Sequence, residues 1–260
     1  MALLQETTIR TLTTLLFVFS VLLPGTFDTI RAEELRIGRF LDATPGAALP
    51  PGWEPFNFPK IENHTVYTLH DDEGRTVIKA ESRNAASGLI CRRRIDPNQY
   101  PYLRWRWKID RVPEKGDVTV KRGDDCAARL YVAFAYDEAA AGWWERLWHR
   151  TANVFAGKEL PGSALTYIWA SRAPEQQVLD NPYAGSAKMI VLQSGNRLSG
   201  QWVDERRNVF EDYQLAFGRQ PTEIIGIGIM TDTDNTGEEI VAYYGEISLE
   251  APTPSSVPTD

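Results

Sequence analysis

The chain has 260 residues, of which 43% are hydrophobic and 24% are charged, so it is long enough to bury a full-sized hydrophobic core. Its 28 lysines and arginines against 35 aspartates and glutamates give a formal net charge of −7, which disfavours a general nucleic-acid binder. With 19 glycines and 16 prolines the chain is neither collagen-like nor of low complexity.

The first 32 residues differ in kind from the rest. Arg10 precedes an uncharged, largely apolar run over 12–23, which Pro24 ends. A membrane span needs about 20 apolar residues, so this run is too short to cross a bilayer and is typical of a cleavable secretory signal. We predict a signal peptide over 1–32, a periplasmic or secreted bacterial protein, and no transmembrane span after cleavage. An uncleaved anchor is the alternative.

From about residue 64 onward, short segments alternate polar and apolar residues, the period of a β-strand. The clearest segment is 103–110, whose apolar positions are Leu103, Trp105, Trp107 and Ile109. Turn-forming residues separate several of the further candidates, at 66–69, 77–80, 130–136, 165–169, 189–192, 224–230 and 240–249. Many short strands predict an all-β, mainly antiparallel β-sandwich, jelly-roll-like, in one domain over 33–250 with a flexible tail at 251–260.

Two stretches break this rhythm with apolar residues at helical spacing. The first is 138–155, which carries Trp148 on its apolar stripe. The second is 204–217, which begins at a capping Asp204 and stops at Gly218. We therefore predict two short helical inserts in the sandwich.

Most tryptophans have the parity or spacing of core residues. Trp105 and Trp107 share the apolar side of their strand, so we expect them to be buried. Trp53 and Trp202 stand in loop contexts, and we expect both to be partly exposed.

Cys91 and Cys126 are the only two cysteines. In an oxidising compartment, a disulfide between them would close a loop of about 35 residues and add about 4 kcal/mol to the free energy of unfolding. Two buried free thiols in neighbouring strands are the equal alternative, and the spacing alone favours neither.

The polar side of the 103–110 strand carries a row of cations. Arg104, Arg106 and Lys108 are same-face neighbours, about 7 Å apart. Arg129 and Tyr131 begin another strand on its non-core parity, and we expect them to lie beside this row. Guanidinium groups match carboxylates and hydroxyls, so the five residues form the candidate ligand-binding face. The alternative is a solvated face whose cations are neutralised by neighbouring carboxylates.

A turn at 232–237 collects oxygen ligands. Asp232, Asp234 and Asn235 partly match the start of a calcium-binding loop, but Tyr243 stands where such a loop has its twelfth-position glutamate. An ordinary β-turn also explains the asparagine and glycine here. We predict no cofactor, with a structural calcium ion at these three residues as the alternative.

The inventory for catalysis is poor. None of the common nucleophile, phosphate-loop, zinc or dinucleotide motifs occurs, and His64 and His70 would lie about 20 Å apart on an extended strand. The carboxylates available for a glycosidase pair are Glu81, Asp124, Asp125, Glu205 and Asp212. Their separations decide the mechanism and are not visible in the sequence.

Six ordered blocks occur at 40–53, 86–89, 101–108, 123–131, 207–213 and 230–236. Together they resemble the bacterial exported family called domain of unknown function 3047, over nearly the whole mature chain. The resemblance implies an exported protein but no activity, because that family carries none to transfer.

We therefore predict an uncharacterised exported protein that binds a carbohydrate or another envelope polymer through the cationic face without changing it. A polysaccharide lyase or glycoside hydrolase is the alternative, with Tyr131 as acid or base in the lyase. A second alternative is an envelope structural or assembly partner. The sequence does not fix the oligomeric state.

Overall fold

Alternating polar and apolar segments become strands here because each can bury one side against a second sheet while the other side faces outward. The computed structural model describes residues 33–38, 40–46, 49–50, 52–137 and 161–253. In this part of the chain the strands are β1 (Glu34–Gly38), β2 (Trp53–Asn57), β3 (Val66–Asp72), β4 (Arg75–Arg83), β5 (Ala86–Ile95), β6 (Tyr102–Ile109), β7 (Ala128–Phe134), β8 (Ser163–Ala170), β9 (Val178–Asp180), β10 (Ala187–Ser194), β11 (Val203–Asn208), β12 (Ile224–Asp232), β13 (Glu239–Tyr244) and β14 (Ile247–Glu250). The helical segments there are an α-helix, Val209–Phe217, and two 3₁₀ turns, Phe40–Asp42 and Lys121–Gly123.

The strands form two sheets of seven. Sheet A has the order β1-β14-β6-β13-β4-β3, with β11 also paired to β6, and sheet B has the order β2-β5-β12-β7-β8-β10-β9. Among the described strands only β8 and β10 pair in parallel. Because the chain passes repeatedly from one sheet to the other, the predicted fold class, a mainly antiparallel jelly-roll-like sandwich, is confirmed.

The core lies between the two sheets and is rich in aromatic rings. Trp105 and Trp107 of β6 are 3% and 0% exposed. Their rings lie 5.1 Å from Tyr167 and 6.0 Å from Trp169 of β8, respectively, measured between ring centres. The prediction that these two tryptophans are core residues is confirmed. Trp53, expected to be partly exposed, is only 7% exposed and packs against the core, so that expectation was wrong.

The second predicted helix begins later than its capping signal indicated. Asp204 belongs to β11, which pairs along β6, and the helix starts at Val209. The cap is Asn208, whose side chain accepts hydrogen bonds from the backbone N–H groups of two following residues. Pairing with β6 satisfies the backbone of β11 and therefore overrides the local signal at Asp204. Gly218 ends the helix in a left-handed conformation, as predicted. The other predicted insert, 138–155, lies outside the described residues.

Both cysteines are buried free thiols. Cys91 on β5 lies opposite Ile227 of β12, whereas the carbonyl of Cys126 accepts a hydrogen bond from the backbone N–H of Asp232 at the end of β12. Those two positions on β12 are about 16 Å apart along the strand. A disulfide needs Cα atoms within about 7 Å, so the free-thiol alternative is the one that this fold contains.

The described residues between 33 and 253 belong to one compact unit. The predicted signal segment and all but the first residues of the predicted tail lie outside the described part of the chain. No helix among the described residues is both long and apolar enough to cross a membrane.

Candidate functional site

The predicted ligand-binding face is divided between the two sheets. Arg104, Arg106 and Lys108 lie on the outer side of β6 in sheet A, opposite to its core-facing residues. Arg129 and Tyr131 lie on β7 in sheet B. The expectation that all five residues form one surface was wrong. Period-two patterning fixes the side of a strand but not the sheet to which the strand belongs, and β6 and β7 belong to different sheets.

Cations and aromatic rings alternate on the outer face of sheet A. The Lys108 ammonium lies 4.6 Å from the ring centre of Tyr243 and 5.2 Å from that of Trp202. The Arg106 guanidinium carbon lies 4.9 Å from the Trp202 ring centre. We call Tyr243, Lys108, Trp202 and Arg106 the ladder. The attraction between a cation and an aromatic ring stabilises such a contact by about 0.5–1 kcal/mol at exposed sites and by more where water is excluded.

The ladder is built by the strands on either side of β6. β13 brings Tyr243 opposite Lys108, and Trp202 comes directly before β11 on the other side. Trp202 is partly exposed, as its loop context predicted, and so is Tyr243. Tyr243 was missed as a site residue, although alternation along 240–249 places it on the outer side, opposite to the buried Ala242 and Tyr244.

The β3–β4 hairpin supplies a carboxylate to the ladder. Asp72 accepts hydrogen bonds at 2.7 Å from Lys108 on both of its oxygens, and at 2.7 Å from the indole N–H of Trp202. Burial opposes the charge of Asp72, but these hydrogen bonds outweigh burial and hold its pKa below the ordinary value. The carboxylate therefore stays ionised and fixes both the cation and the ring.

The two arginines of the predicted row also have carboxylate partners. Arg106 lies 3.4 Å from Asp204 on β11. Arg104 donates at 2.8 Å to Glu250, which also accepts from Arg206 at 3.3 Å. Although burial acts in the opposite direction, these two guanidinium groups hold the pKa of Glu250 below its usual range. The neutralised face foreseen as the alternative is thus present here, with Asp72, Asp204 and Glu250 as the neutralising groups.

Two shallow depressions lie towards the β3 and β4 side of sheet A. They have volumes of about 230 and 330 Å³, and both are lined by Glu81 and Arg83 of β4. Glu81 lies 3.1 Å from Lys79, which is the cross-strand neighbour of Tyr243. The outer face of sheet A is therefore a polar and aromatic surface that continues from β11 across to β3.

Arg129 is in a very different setting and is not a surface ligand. It is 1% exposed, and its Nε and Nη2 each donate at 2.8 Å to Asp232. Nη2 also donates at 2.6 Å to the backbone carbonyl of Asp124 and at 3.1 Å to its side chain. Burial acts against the charge, but the carboxylates raise the pKa of Arg129 above its ordinary value. Its role is to hold the loop before β7 against the end of β12.

The predicted metal-binding turn lies beside Arg129. Asp125, Asp232 and Asp234 each offer an oxygen, and these atoms lie within 4.8 Å of one another. Asp125 reaches the turn from more than a hundred residues away in the chain, where its carboxylate accepts a hydrogen bond from the backbone N–H of Thr236. Oxygen ligands of this kind suit a hard cation such as calcium.

Asn235 contributes to the turn itself. Its side-chain carbonyl accepts a hydrogen bond from the hydroxyl of Tyr183 at 3.2 Å, and its backbone N–H donates to Asp125 at 3.3 Å. The Asp125 carboxylate also accepts from the backbone N–H of Thr236 at 2.6 Å. Because Arg129 already places a positive charge at Asp232, the cluster is partly neutralised without a metal, and calcium stays a prediction.

A third polar group lies where β11 meets the end of β10. Glu205 accepts hydrogen bonds on one oxygen from Trp107 at 3.2 Å and from Gln193 at 2.8 Å. Its other oxygen makes no hydrogen bond to the described part of the chain. Burial raises the pKa of Glu205 above its ordinary value, although both donors act in the opposite direction. Glu205 is therefore a carboxyl group that can be protonated more readily than a surface glutamate.

Asp212 on the helix is linked to Glu205 through Arg207, on which the charges of both carboxylates act. Arg207 donates to Asp212 at 2.8 and 2.5 Å in a two-pronged contact, and the Tyr167 hydroxyl donates to the same carboxylate at 2.8 Å. The positive charge of Arg207 also acts on Glu205. Trp105, the cross-strand neighbour of Glu205, has a buried indole N–H without a hydrogen-bond partner among the described residues. Two of the carboxylates named from the sequence thus come to the same edge of the sandwich.

Comparison with known proteins gives a family but no activity. The family described as "Protein of unknown function (DUF3047)" matches residues 51–248. No curated protein matches the chain. Among solved structures, a thermostable cellulase derived from the Cel12A cellulase of Rhodothermus marinus matches with a TM-score of 0.40 and 11% identity. That match covers 84% of this chain and 100% of the cellulase chain.

Proposed function

The chain belongs to the family of proteins of unknown function DUF3047, and we propose that it binds a carbohydrate polymer on the outer face of sheet A without changing it. The ladder is the observation that carries this proposal, because Trp202 and Tyr243 stand beside charged groups on one surface. A sugar ring has an apolar face of C–H groups and a rim of hydroxyls. Aromatic rings pack against the former, and charged side chains hydrogen-bond to the latter.

The spacing of the ladder is compatible with a polymer. The Lys108 ammonium lies 4.6 Å from one ring centre and 5.2 Å from the other, so the two rings are no further apart than the sum of these distances. That is the scale of one or two sugar units. The predicted export of the protein would bring it to the cell envelope, where such polymers occur.

Substitution of the ladder rings tests this function. Trp202→Ala and Tyr243→Ala remove the apolar contacts and are expected to weaken retention on insoluble polysaccharides about tenfold or more. Tyr183→Ala is the matched control, because Tyr183 is a 57% exposed aromatic residue next to the acidic cluster instead of the ladder. Thermal unfolding of each variant checks the fold. Unchanged retention of both ladder variants contradicts the proposal.

Glycoside hydrolysis is a second candidate, favoured by the surroundings of Glu205. A carboxyl group whose pKa is raised by burial is suited to donate a proton to a glycosidic oxygen as the C–O bond breaks. Asp212, held by Arg207, would be the second carboxylate. The lyase alternative loses its support, because Tyr131 lies on the other sheet from the cationic row. Release of reducing ends that Glu205→Gln abolishes, with retention intact, supports hydrolysis, whereas retention without release leaves binding alone.

A further inference from the structure

The outer face of sheet A carries almost no net charge around the ladder. Four cations lie beside three carboxylates, and each cation has a carboxylate within 3.4 Å. The cations are Arg104, Arg106, Lys108 and Arg206, and the carboxylates are Asp72, Asp204 and Glu250. These groups sum to a net charge of +1, and every cation already has a carboxylate partner before any ligand arrives.

The central cation of the ladder is the one most firmly held. Lys108 and Asp72 each have only 14% of the side chain exposed. A ligand carboxylate could pair with Lys108 only by displacing Asp72. Asp72, which is largely buried, would then be left without its cation. Breaking such a pair costs more than the new pair returns, because the abandoned charge is poorly hydrated. Lys108 is thus unavailable to an acidic ligand.

The exposed cations offer only weak attraction to an anion. Arg104 and Arg206 are 54% and 50% exposed and share Glu250. Water and salt screen their charges, and exposed ion pairs of this kind contribute about 0–1 kcal/mol. A polymer with one negative charge per sugar would gain little from these two arginines.

Trp202 is partly exposed, so part of its ring is accessible to a ligand. Arg106 and Lys108, both on β6, lie 4.9 and 5.2 Å from the centre of this ring. Asp204, which follows Trp202 by two residues, has a side chain that is 74% exposed and lies 3.4 Å from Arg106. An exposed carboxylate accepts hydrogen bonds from hydroxyl groups and repels a carboxylate on a ligand.

From this charge balance we propose that the polymer bound at the ladder is an electrically neutral, hydroxyl-rich glycan and not an acidic polysaccharide. The inference rests on the proposed binding function and specifies the ligand class of the same surface. Trp202 and Tyr243 supply the contact with the C–H faces of the sugars. The exposed carboxylate of Asp204 serves as a hydrogen-bond acceptor for the hydroxyls, and the exposed arginines, each already paired with a carboxylate, do not attract anions.

Retention on two sets of polymers tests the inference. The neutral set is cellulose, chitin and β-1,3-glucan, and the acidic set is alginate and polygalacturonate, each at low salt and at about 1 M salt, where the Debye length is about 3 Å. We expect retention on at least one neutral polymer, changing less than about twofold between the salt concentrations because no net charge is neutralised. Trp202→Ala should lower it about tenfold, and Arg104→Glu should change it less than about twofold.

Further variants distinguish failure of the neutral-ligand inference from failure of the binding function itself. Asp204→Asn replaces a carboxylate acceptor by a weaker amide acceptor, so it should weaken neutral-glycan retention. Because it also removes a negative charge, it should strengthen any retention on an acidic polymer. Retention on alginate or polygalacturonate that falls with salt and with Arg104→Glu overturns the neutral-ligand inference and leaves the binding function standing. Retention on neither set, by wild-type protein that unfolds cooperatively, overturns the binding function itself.

Discussion

Arg104 and Arg129 have the same side chain in opposite surroundings. The Arg104 side chain is 54% exposed and pairs with one surface carboxylate, whereas that of Arg129 is 2% exposed and is held by Asp124 and Asp232. At the exposed position the pair contributes about 0–1 kcal/mol, and at the buried one the loss of either partner costs about 3–5 kcal/mol. The residue type predicted an anion-binding group at both places, but only burial decides whether the group is free to bind.

The aspartates around Arg129 predict a pH dependence of stability. Burial outweighs the pairing with Arg129 and, together with Asp125 and Asp124, raises the pKa of Asp232 from 3.8 to about 7. The folded protein thus binds this proton more tightly than the unfolded chain does. The contribution to the free energy of unfolding is complete below about pH 4 and is lost as the pH rises through about 7.

Asp234→Asn tests the contribution of like charges, because an oxygen of Asp234 lies within 4.8 Å of those of Asp125 and Asp232, and the change leaves both partners of Arg129 in place. We expect a shallower loss of stability between about pH 5 and pH 8, and a higher free energy of unfolding at pH 8 than in the wild type. Urea unfolding at the two pH values measures both quantities. Asp180→Asn is the control, because the Asp180 side chain is 80% exposed and pairs with Lys188. Wild-type stability that rises over this range would mean that Arg129 keeps Asp232 ionised.

At the level of single elements, β11 and the following helix depend on one junction. Asn208 ends the pairing of β11 with β6, and its side chain caps the helix through the backbone N–H groups of Phe210 and Glu211. The helix in turn places Asp212 against Arg207 and Tyr167. A correct junction is therefore needed for the polar group at this edge of the sandwich.

Asn208→Ala should lower the free energy of unfolding by about 1 kcal/mol, because the two N–H groups lose their acceptor. Asp204 is the residue that the local pattern marked as the cap. Asp204→Ala should change the free energy of unfolding by less than about 0.5 kcal/mol relative to the wild type. Thermal and urea unfolding compare the two variants. A larger loss for Asp204→Ala would mean that the helix begins upstream of Val209.

The sequence predicted the apolar stripe and the end of this helix but not its start. The stripe of Val209 and Tyr213 and the stop at Gly218 follow from local spacing, and all are present. The start was misplaced because Asp204 has a local signal for capping but a non-local partner, Arg106, on β6. Local patterns carry no information about strand pairing, which in this case decided the conformation.

On the scale of the whole molecule, local patterns again predicted which residues are buried but not which strands are neighbours. Alternation placed Trp105 and Trp107 in the core and gave the fold class, because one buried side per strand is a local requirement. It could not place Arg129 apart from Arg104, or Tyr243 beside Trp202, because both depend on the order of strands in the sheets. The ladder therefore became visible only with the topology.

The strand order of sheet B makes a final prediction about Cys91 and Cys126. β12 lies between β5 and β7, and the two cysteines meet β12 at positions about 16 Å apart, so oxidation cannot join them in the folded protein. Burial also raises the pKa of both thiols, which slows their reaction with alkylating agents. Without a reductant, we expect mass spectrometry to detect no alkylation of the native protein and two alkylated thiols after denaturation. Denatured protein that takes up the alkylating agent only after reduction would mean that the cysteines are bridged, and the arrangement of β5, β12 and β7 would then be wrong.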